Sequence, residues 1–471
     1  MDRRTNHSSA IFSLNILRWP AFYQMLIFTI LLGTAFDNMD QATCSFILPM
    51  MRMEWHLTFV ESSYMPVAAL LGTCIGAIFW GMIADRVGRR RAFVWTIMLF
   101  SITNLIQTHA WSYLQFTLTC FFMGIGVGGE IPLAFTFLSE FLPKLIRTRA
   151  EILMGVLAIV IGYAFSAMSA HFLLPLAGWK SLFYVQALPA ILVLVIRFRF
   201  PESPRYLQST GQAERATSTI EMIGKQCGNP ALVDELRHSL TSDERRFSWL
   251  EGLRALWQPM YWQRSASSWI FGFCVGFFEF GFLIWLPTTL QSQGYRDAQS
   301  VNYPMLINFF AIPSAFFALY LLNKGGSKLL LSVYPLIAGV LTLLFGLFLP
   351  EIAASPIILV LVGGGIFFFG ITLLGIFPPY SSEIYPTAIR GTGSGWATGI
   401  SRVGSFLGPM VGGLFLNWGI PPQVELVLFG LCLLLGFLVM VCYGVQTNML
   451  DLETISPHVE EQQPEQVEFT R

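Results

Sequence analysis

Long apolar runs, separated by short polar segments, recur along nearly the whole chain. Twelve are long enough to cross a bilayer as helices, which takes about 20 residues each. Their approximate limits are 21–48, 60–84, 92–109, 113–141, 151–173, 181–200, 265–290, 304–323, 328–349, 356–381, 391–416 and 424–445. Six end by residue 200 and six begin after 263. The pattern divides the chain into a tail over 1–20, a six-helix bundle over 21–200, a linker over 201–263, a second six-helix bundle over 264–446 and a tail over 447–471. The linker is polar, with Glu214, Arg215, Asp234, Glu235, Arg237, Asp243, Glu244, Arg245 and Arg246, and its composition fits short amphipathic helices in water. The acidic tail, rich in Gln and Pro, fits disorder.

The two halves share a motif. Ser139-Glu140-Phe141-Leu142-Pro143-Lys144-Leu145-Ile146-Arg147 reappears as Ser382-Glu383-Ile384-Tyr385-Pro386-Thr387-Ala388-Ile389-Arg390. Each copy closes an apolar run, and they lie roughly 240 residues apart, the mark of a duplicated bundle. The expected fold is an all-α membrane protein of twelve transmembrane helices in two pseudo-symmetric six-helix bundles. Such halves can rock about a site between them.

Composition agrees. Apolar residues make up 54% and charged residues 12%, where soluble domains carry about a quarter charged. Net charge is zero, so no basic field argues for nucleic acid. The seven cysteines form no CxxC pair and read as reduced packing residues. The first twenty residues are polar and no cleavage site follows the first apolar run, which reads as a retained span. Basic residues set orientation. With a cytoplasmic N-terminus, 24 of the 28 Lys and Arg fall in the tails and cytoplasmic loops, and three (Arg52, Lys180, Arg296) on the other side. Arg402 alone lies away from the ends of a span. Both termini are expected in the cytoplasm, in a multi-pass protein of the cell membrane, of the bacterial inner-membrane kind.

Charges inside the spans are the strongest chemical lead. Asp37 and Asp40 are three apart and share a helix face. Glu130 lies in span 4, Glu279 in span 7 and Arg402 in span 11. A charge at mid-bilayer costs about 3 kcal/mol or more, so such groups face a cavity, pair or stay neutral. One cation cannot match four acids. A carboxyl that is dry in one state and wet in the other takes up and releases a proton once per cycle. Asp37, Asp40, Glu130 and Glu279 are therefore the proton-coupling candidates. The plainer readings are a cap or internal hydrogen bond for Asp40, a backbone bond near Pro132 for Glu130, a membrane-surface position for Glu279 and a permanent salt bridge for Arg402. Arg402 is otherwise an anchor for a substrate carboxylate. Tyr163, Trp285, Tyr303, Tyr380 and Trp396 lie near mid-span or beside Gly and Pro breaks and could stack on a flat substrate.

The loop after span 2 reads Gly81-Met82-Ile83-Ala84-Asp85-Arg86-Val87-Gly88-Arg89-Arg90-Arg91. Its fixed Gly and Asp spacing points to a gating loop rather than topogenic charge alone. The second-half counterpart, Asn323-Lys324-Gly325-Gly326-Ser327-Lys328, has lost the acid. With both SE…P…R segments and Pro201-Glu202-Ser203-Pro204-Arg205-Tyr206-Leu207, this loop resembles the major facilitator superfamily, in its sugar-porter-like branch. The likeness covers nearly the whole chain. Phe36-Asp37-Asn38-Met39-Asp40, followed by Phe46, Pro49 and Trp55, is similar to the start of niacin and aromatic-acid transporters. Gly124-Ile125-Gly126-Val127-Gly128-Gly129-Glu130-Ile131-Pro132 resembles their fourth span. The resemblance implies that Glu140 with Arg147, and Glu383 with Arg390, join the loop arginines in a cytoplasmic charge network that latches the outward-facing state, with Gly81, Asp85, Arg86, Gly88, Arg89 and Arg90 as the gating residues of the loop. Two departures stand out. Cys120 replaces the arginine common in that branch, and the glutamine pair that grips hexoses in span 7 is absent, so glucose-like substrates fit poorly.

GIGVGG also fits G-x-G-x-x-G, but it lies inside an apolar span with no preceding strand, which suits helix packing and not a dinucleotide. There is no P-loop, no HExxH pair and no nucleophile elbow, so neither ATP-driven pumping nor an enzyme is expected, and no cofactor or metal. The expected function is secondary transport of a small organic solute, with an organic or aromatic acid favoured, by alternating access and proton symport. The expected partners are that solute, protons and the bilayer, with the chain a monomer. The alternatives are an uncoupled facilitator, a proton-coupled exporter of a sugar-like metabolite, and a non-transporting receptor on a transporter fold. The orientation has a direct check. Green fluorescent protein fused after Arg471 is expected to fluoresce in a bacterial host, and alkaline phosphatase fused there to be inactive. The opposite pattern would invert the topology.

Overall fold

The sixth apolar run is interrupted, and the interruption shows how local chemistry shapes these spans. Expected as one helix over 181–200, it forms α6 (Lys180–Gln186) and α7 (Ala190–Arg199). Pro189 stands between them at the N-cap of α7, where its missing N–H and fixed φ end one helix and start the next. The computed structural model describes residues 20–142, 144–227, 249–295, 297–385 and 387–446. The expected tails, save Pro20, and residues 228–248 of the expected linker lie outside the described residues.

Before that break come α1 (Ala21–Glu54), α2 (Phe59–Val87), α3 (Arg89–Gln107), α4 (Tyr113–Phe141) and α5 (Lys144–Ala177). The linker holds α8 (Pro204–Ser209), α9 (Ala213–Cys227) and α10 (Trp249–Leu256). The second half contains α11 (Trp262–Ser292), α12 (Asp297–Phe309), α13 (Ala311–Leu347), α14 (Leu349–Ala354), α15 (Pro356–Gly370), α16 (Leu373–Glu383), α17 (Thr387–Asn417) and α18 (Pro422–Tyr443). Among the described residues, nine helical stretches are long and apolar enough to cross a membrane. The first, third and sixth expected spans complete the twelve as helices outside those limits. α1 carries Asp37 and Asp40, α3 opens on three arginines, and α6 and α7 are each too short. Two further boundaries differ from expectation. The eighth and ninth spans are joined through a kink at Gly326 (φ 74°, ψ −175°), which only glycine adopts readily. The tenth breaks into α15 and α16 around Ile371 and Thr372.

Pairing within the halves is parallel. α1 packs on α5 as α11 packs on α17, first span on fifth in each half. α2 packs on α4, and its counterpart α12 on α15. Across the halves, α2 meets α17, α1 meets α11, and α5 meets α12 and α16. These contacts place the middles of α1, α5, α11 and α17 around one central region.

The α2–α4 pair explains the glycine-rich segment. A Cβ at Gly124 would meet the backbone of Ala69, and one at Gly128 the backbone of Thr73. In a bilayer, where apolar contact with lipid costs nothing, helices are held by such close approach. Trp80 Nε1 on α2 adds a 2.9 Å hydrogen bond to the Ile125 carbonyl. At the end opposite the basic loops the two halves meet directly. Gly413 lies against Ser63 and Phe59, the Phe59 ring is 6.2 Å from Trp285, and His171 Nδ1 is 2.6 Å from Asn302 Oδ1. Gly128→Val is expected to force α2 and α4 apart, lowering the melting temperature in detergent by an amount equivalent to about 1–3 kcal/mol. An unchanged melting curve would mean that the helices are not held by that approach.

Candidate functional site

Five side chains from both halves converge at mid-helix depth. Asp37 on α1, Glu130 on α4 and Tyr163 on α5 come from the first bundle, and Glu279 on α11 and Arg402 on α17 from the second. The carboxyls are almost wholly enclosed, with exposures of 0% for Asp37, 1% for Glu130 and 3% for Glu279. Asp37 and Glu130 face each other closely enough for a hydrogen bond once one carries a proton. As carboxylates neither can donate, so both Asp37 oxygens and Glu130 Oε1 lack a donor. Glu130 Oε1 also rests against Gly33, one helical turn from Asp37, where any larger residue would displace it.

Arg402 lies in the electrostatic reach of Cys74, Glu279, Tyr163 and Asp37. It is half-buried, yet its Nη1 is enclosed and has no hydrogen-bond acceptor. Among the described residues no carboxylate comes within ion-pair distance of it. The Tyr163 hydroxyl is likewise buried and unpartnered, and it lies in reach of both Glu279 and Arg402. A guanidinium and a phenol that both lack acceptors, among acids that lack donors, make a site able to receive an anion and a proton.

The other expected substrate residues lie elsewhere. Trp285 donates from Nε1 to the Pro409 carbonyl at 2.9 Å. The Tyr380 hydroxyl accepts from the Val445 N–H at 3.0 Å, at the far end of the second bundle. Tyr303 packs edge-on against Tyr295 at 5.1 Å, and Trp396 packs on Trp269 at 5.8 Å. Asp40, on the same helix face as Asp37, faces an apolar cavity rather than Arg402, and both its oxygens lack partners.

The basic loop is organised around a residue that the charge pattern does not mark. Gly88 separates α2 from α3 at φ 103°, a conformation open to glycine at little cost. Its missing side chain leaves room for the Glu202 carboxylate and the Tyr206 ring. Glu202 Oε1 accepts from Arg90 N at 2.9 Å and from Ser203 N at 3.1 Å. The Arg90 guanidinium donates to the Phe200 carbonyl at 2.9 Å, and the Tyr206 hydroxyl to that of Arg86 at 2.8 Å. Arg89 Nε lies 3.6 Å from Glu140 Oε1, which ties the loop to α4. Arg86 is exposed, Gly81 has open space beside it, and Glu383 is half-buried. The side chains of Asp85, Arg147 and Arg390 lie outside the described residues.

Sequence reasoning missed three groups. Glu425 is a fifth enclosed acid, 1% exposed, with both oxygens unpartnered beside Gly412 and Trp285. It falls within the expected last span, where an acid count would have found it. Gln107 is fully buried at the end of α3, and only its polarity inside an apolar run signals it. Glu202 sits in a motif quoted for resemblance alone.

Comparison with known proteins adds three findings. The sequence model of the sugar (and other) transporter family matches residues 25–458. The chain is similar to the niacin transporter NiaP of Acinetobacter baylyi, 29% identical and covering 92% of this chain and 96% of that one. It is also similar to the putative niacin/nicotinamide transporter NiaP of Bacillus subtilis (30%, covering 90% and 96%) and the 4-hydroxybenzoate transporter PcaK of Pseudomonas aeruginosa (27%, covering 81% and 84%). Its fold matches the solved structure of the xylose transporter XylE from E. coli in a partially occluded inward-open conformation, with a TM-score of 0.70 at 20% identity over 91% of this chain and 99% of that one.

The loop geometry is testable. Gly88→Ala combines a strained φ with displacement of Glu202, and is expected to cost about 1–3 kcal/mol of stability in thermal unfolding. Equal melting of the variant and the parent protein would show that Glu202 does not depend on that space.

Proposed function

The chain belongs to the sugar (and other) transporter family, a multi-pass membrane transporter and not an enzyme, and on that premise we propose that it carries a small aromatic acid of the niacin or hydroxybenzoate class together with a proton, by alternating access. The observation that carries this reading is the enclosed Arg402 Nη1 with no acceptor, beside an equally unpartnered Tyr163 hydroxyl. A carboxylate is the ligand that satisfies both, by a charge-assisted bond from the guanidinium and a second from the phenol. The printed names of the similar proteins support this class of substrate.

Charge counting supplies the coupling. With Asp37, Glu130 and Glu279 ionised, the cluster already outnumbers its one cation. An entering carboxylate adds another negative charge at a depth where each costs about 3 kcal/mol or more. A proton shared between Asp37 and Glu130 offsets that cost and supplies the donor that their oxygens lack. Substrate and proton then favour each other's binding reciprocally. The cluster is split between the bundles, with Asp37, Glu130 and Tyr163 on one and Glu279 and Arg402 on the other. Neutralising it removes the penalty for burying it, so the loaded site can close and reopen on the other face. The basic loop, held by Glu202 and by the Arg89–Glu140 pair, is the latch for the end on which it lies, and on this reading that end faces the cytoplasm.

Reconstituted protein is expected to accumulate labelled niacin or 4-hydroxybenzoate in liposomes only under an inward-directed proton gradient. Asp37→Asn is expected to abolish accumulation while leaving exchange of substrate across the membrane. Equilibration without accumulation by the unaltered protein would make it an uncoupled facilitator. Undiminished accumulation by the Asn variant would remove Asp37 from the mechanism.

A further inference from the structure

The cavity that Asp40 faces lies near the charge cluster, since Asp40 is in electrostatic reach of Asp37. About 40 Å³ in volume, it lies between α1, α2, α3, α4 and α6 of the first bundle and α11 of the second. A space of about 10–15 Å³ on this measure holds one water, so this one accommodates several waters or the plane of a six-membered ring. It adjoins the cluster through chain neighbours: Thr73 and Phe280 line it, while Cys74 and Glu279 lie in the reach of Arg402. Its walls are largely apolar, with Phe116, Phe183 and Phe280 among them.

Two enclosed polar side chains on this cavity have unmet hydrogen-bonding capacity. Asp40 has no donor for either oxygen, and Gln107 Oε1 has none. Gln107 Nε2 reaches only the Cys120 sulfur, at 3.5 Å, a weak acceptor. The Thr73 hydroxyl, by contrast, is satisfied by the Leu70 carbonyl at 2.7 Å. Buried polar groups left unmatched in this way are costly and uncommon. Among the described residues no cation lines this cavity, so a ligand's carboxylate is drawn to Arg402 instead. A ligand spanning both places therefore directs its acid end to Arg402 and its far edge to Asp40 and Gln107.

We propose that this cavity is the ring subsite of the transporter, taking a flat six-membered ring whose edge away from the carboxylate bears a hydrogen-bonding atom: either a ring nitrogen, which accepts from the Gln107 amide, or a hydroxyl, which donates to Gln107 Oε1 or Asp40. The inference rests on the aromatic-acid reading above and narrows it to rings with a polar far edge. Gln107 suits both kinds of atom, because its amide offers donors to a pyridine nitrogen and an acceptor to a hydroxyl. A plain phenyl ring would leave both side chains unmatched. Buried polar readout of this sort rejects the analogue lacking the polar atom more strongly than an apolar pocket rejects a missing methylene.

The test compares nicotinate, 4-hydroxybenzoate and benzoate as labelled substrates in proteoliposomes. The unaltered protein is expected to prefer the first two over benzoate by at least about tenfold in kcat/KM. Gln107→Leu, of similar size but without polar atoms, is expected to shrink that preference to about twofold, mainly by slowing the polar rings. Gln107→Met, measured in parallel, gives the same readout should the Leu variant fail to fold. Cys120→Phe fills the cavity from the α4 side and is expected to raise KM for all three acids by about tenfold. Transport of the acids with a preference unmoved by either Gln107 variant overturns the ring subsite and leaves the function standing. Transport of none of the three by the unaltered protein overturns both.

Discussion

One guanidinium in an apolar interior governs this structure. Arg402 lies at mid-helix depth with its Nη1 shut away from water, and a charge left alone there costs several kcal/mol. It must therefore face polar groups, and the fold brings them from both bundles. Asp37, Tyr163 and Glu279 surround it without closing on it as a salt bridge. A closed bridge would consume the cation. An open arrangement leaves it available while keeping it from facing hydrocarbon. The glycines that draw helices together serve the same end. Gly33 leaves room for Glu130 to lie against α1, so the Asp37–Glu130 pair depends on the absence of a side chain one turn away.

Much of this was legible in the linear pattern. Runs of apolar residues gave the spans, and the repeated SE…P…R segment gave the duplication. The interior acids and Arg402 stood out because hydrocarbon makes them expensive. Hydropathy fails where helices are irregular or polar: the Pro189 break, the Gly326 kink and the polar face of α1 all fall outside a simple run of twenty apolar residues. It also cannot say which faces meet. Trp285, Tyr303, Tyr380 and Trp396 were chosen by type and position along the chain, and their partners depend on helix rotation and tertiary packing. Gln107 carries no charge, and the backbone partners of Glu202 are set by tertiary packing, so the linear pattern singles out neither.

The ends of the molecule are built from different chemistry. At one end Phe59, Ser63, Trp285 and Gly413 bring the halves into largely apolar contact, with the polar contact His171–Asn302 also joining them. At the other, backbone groups and ions predominate: Glu202 binds two backbone N–H groups, Arg90 a carbonyl and Arg89 a carboxylate. Apolar contact is non-directional and tolerates sliding. A network of oriented hydrogen bonds holds in one geometry and is lost as a unit when that geometry changes. Under the proposed alternating access the two ends are expected to respond differently, the apolar contacts gradually and the loop abruptly.

The distribution of acids then carries a constraint on mechanism. Asp37 and Glu279 lie in the reach of the cation and Glu130 lies against Asp37, while Asp40 and Glu425 are enclosed away from it, beside the apolar cavity and Trp285 respectively. Neither has a cationic partner among the described residues, so neither can be steadied by ion pairing in this state. A buried carboxyl without a cation persists only if it is neutral or if something brings it a donor. The two outlying acids are thus bound to the same variable as the central three, the number of protons and polar ligand atoms that the interior holds. With five such groups and one interior cation among the described residues, the interior electrostatics call for completion from outside, and on the proposed mechanism that incompleteness couples the shape of the bundles to what they contain.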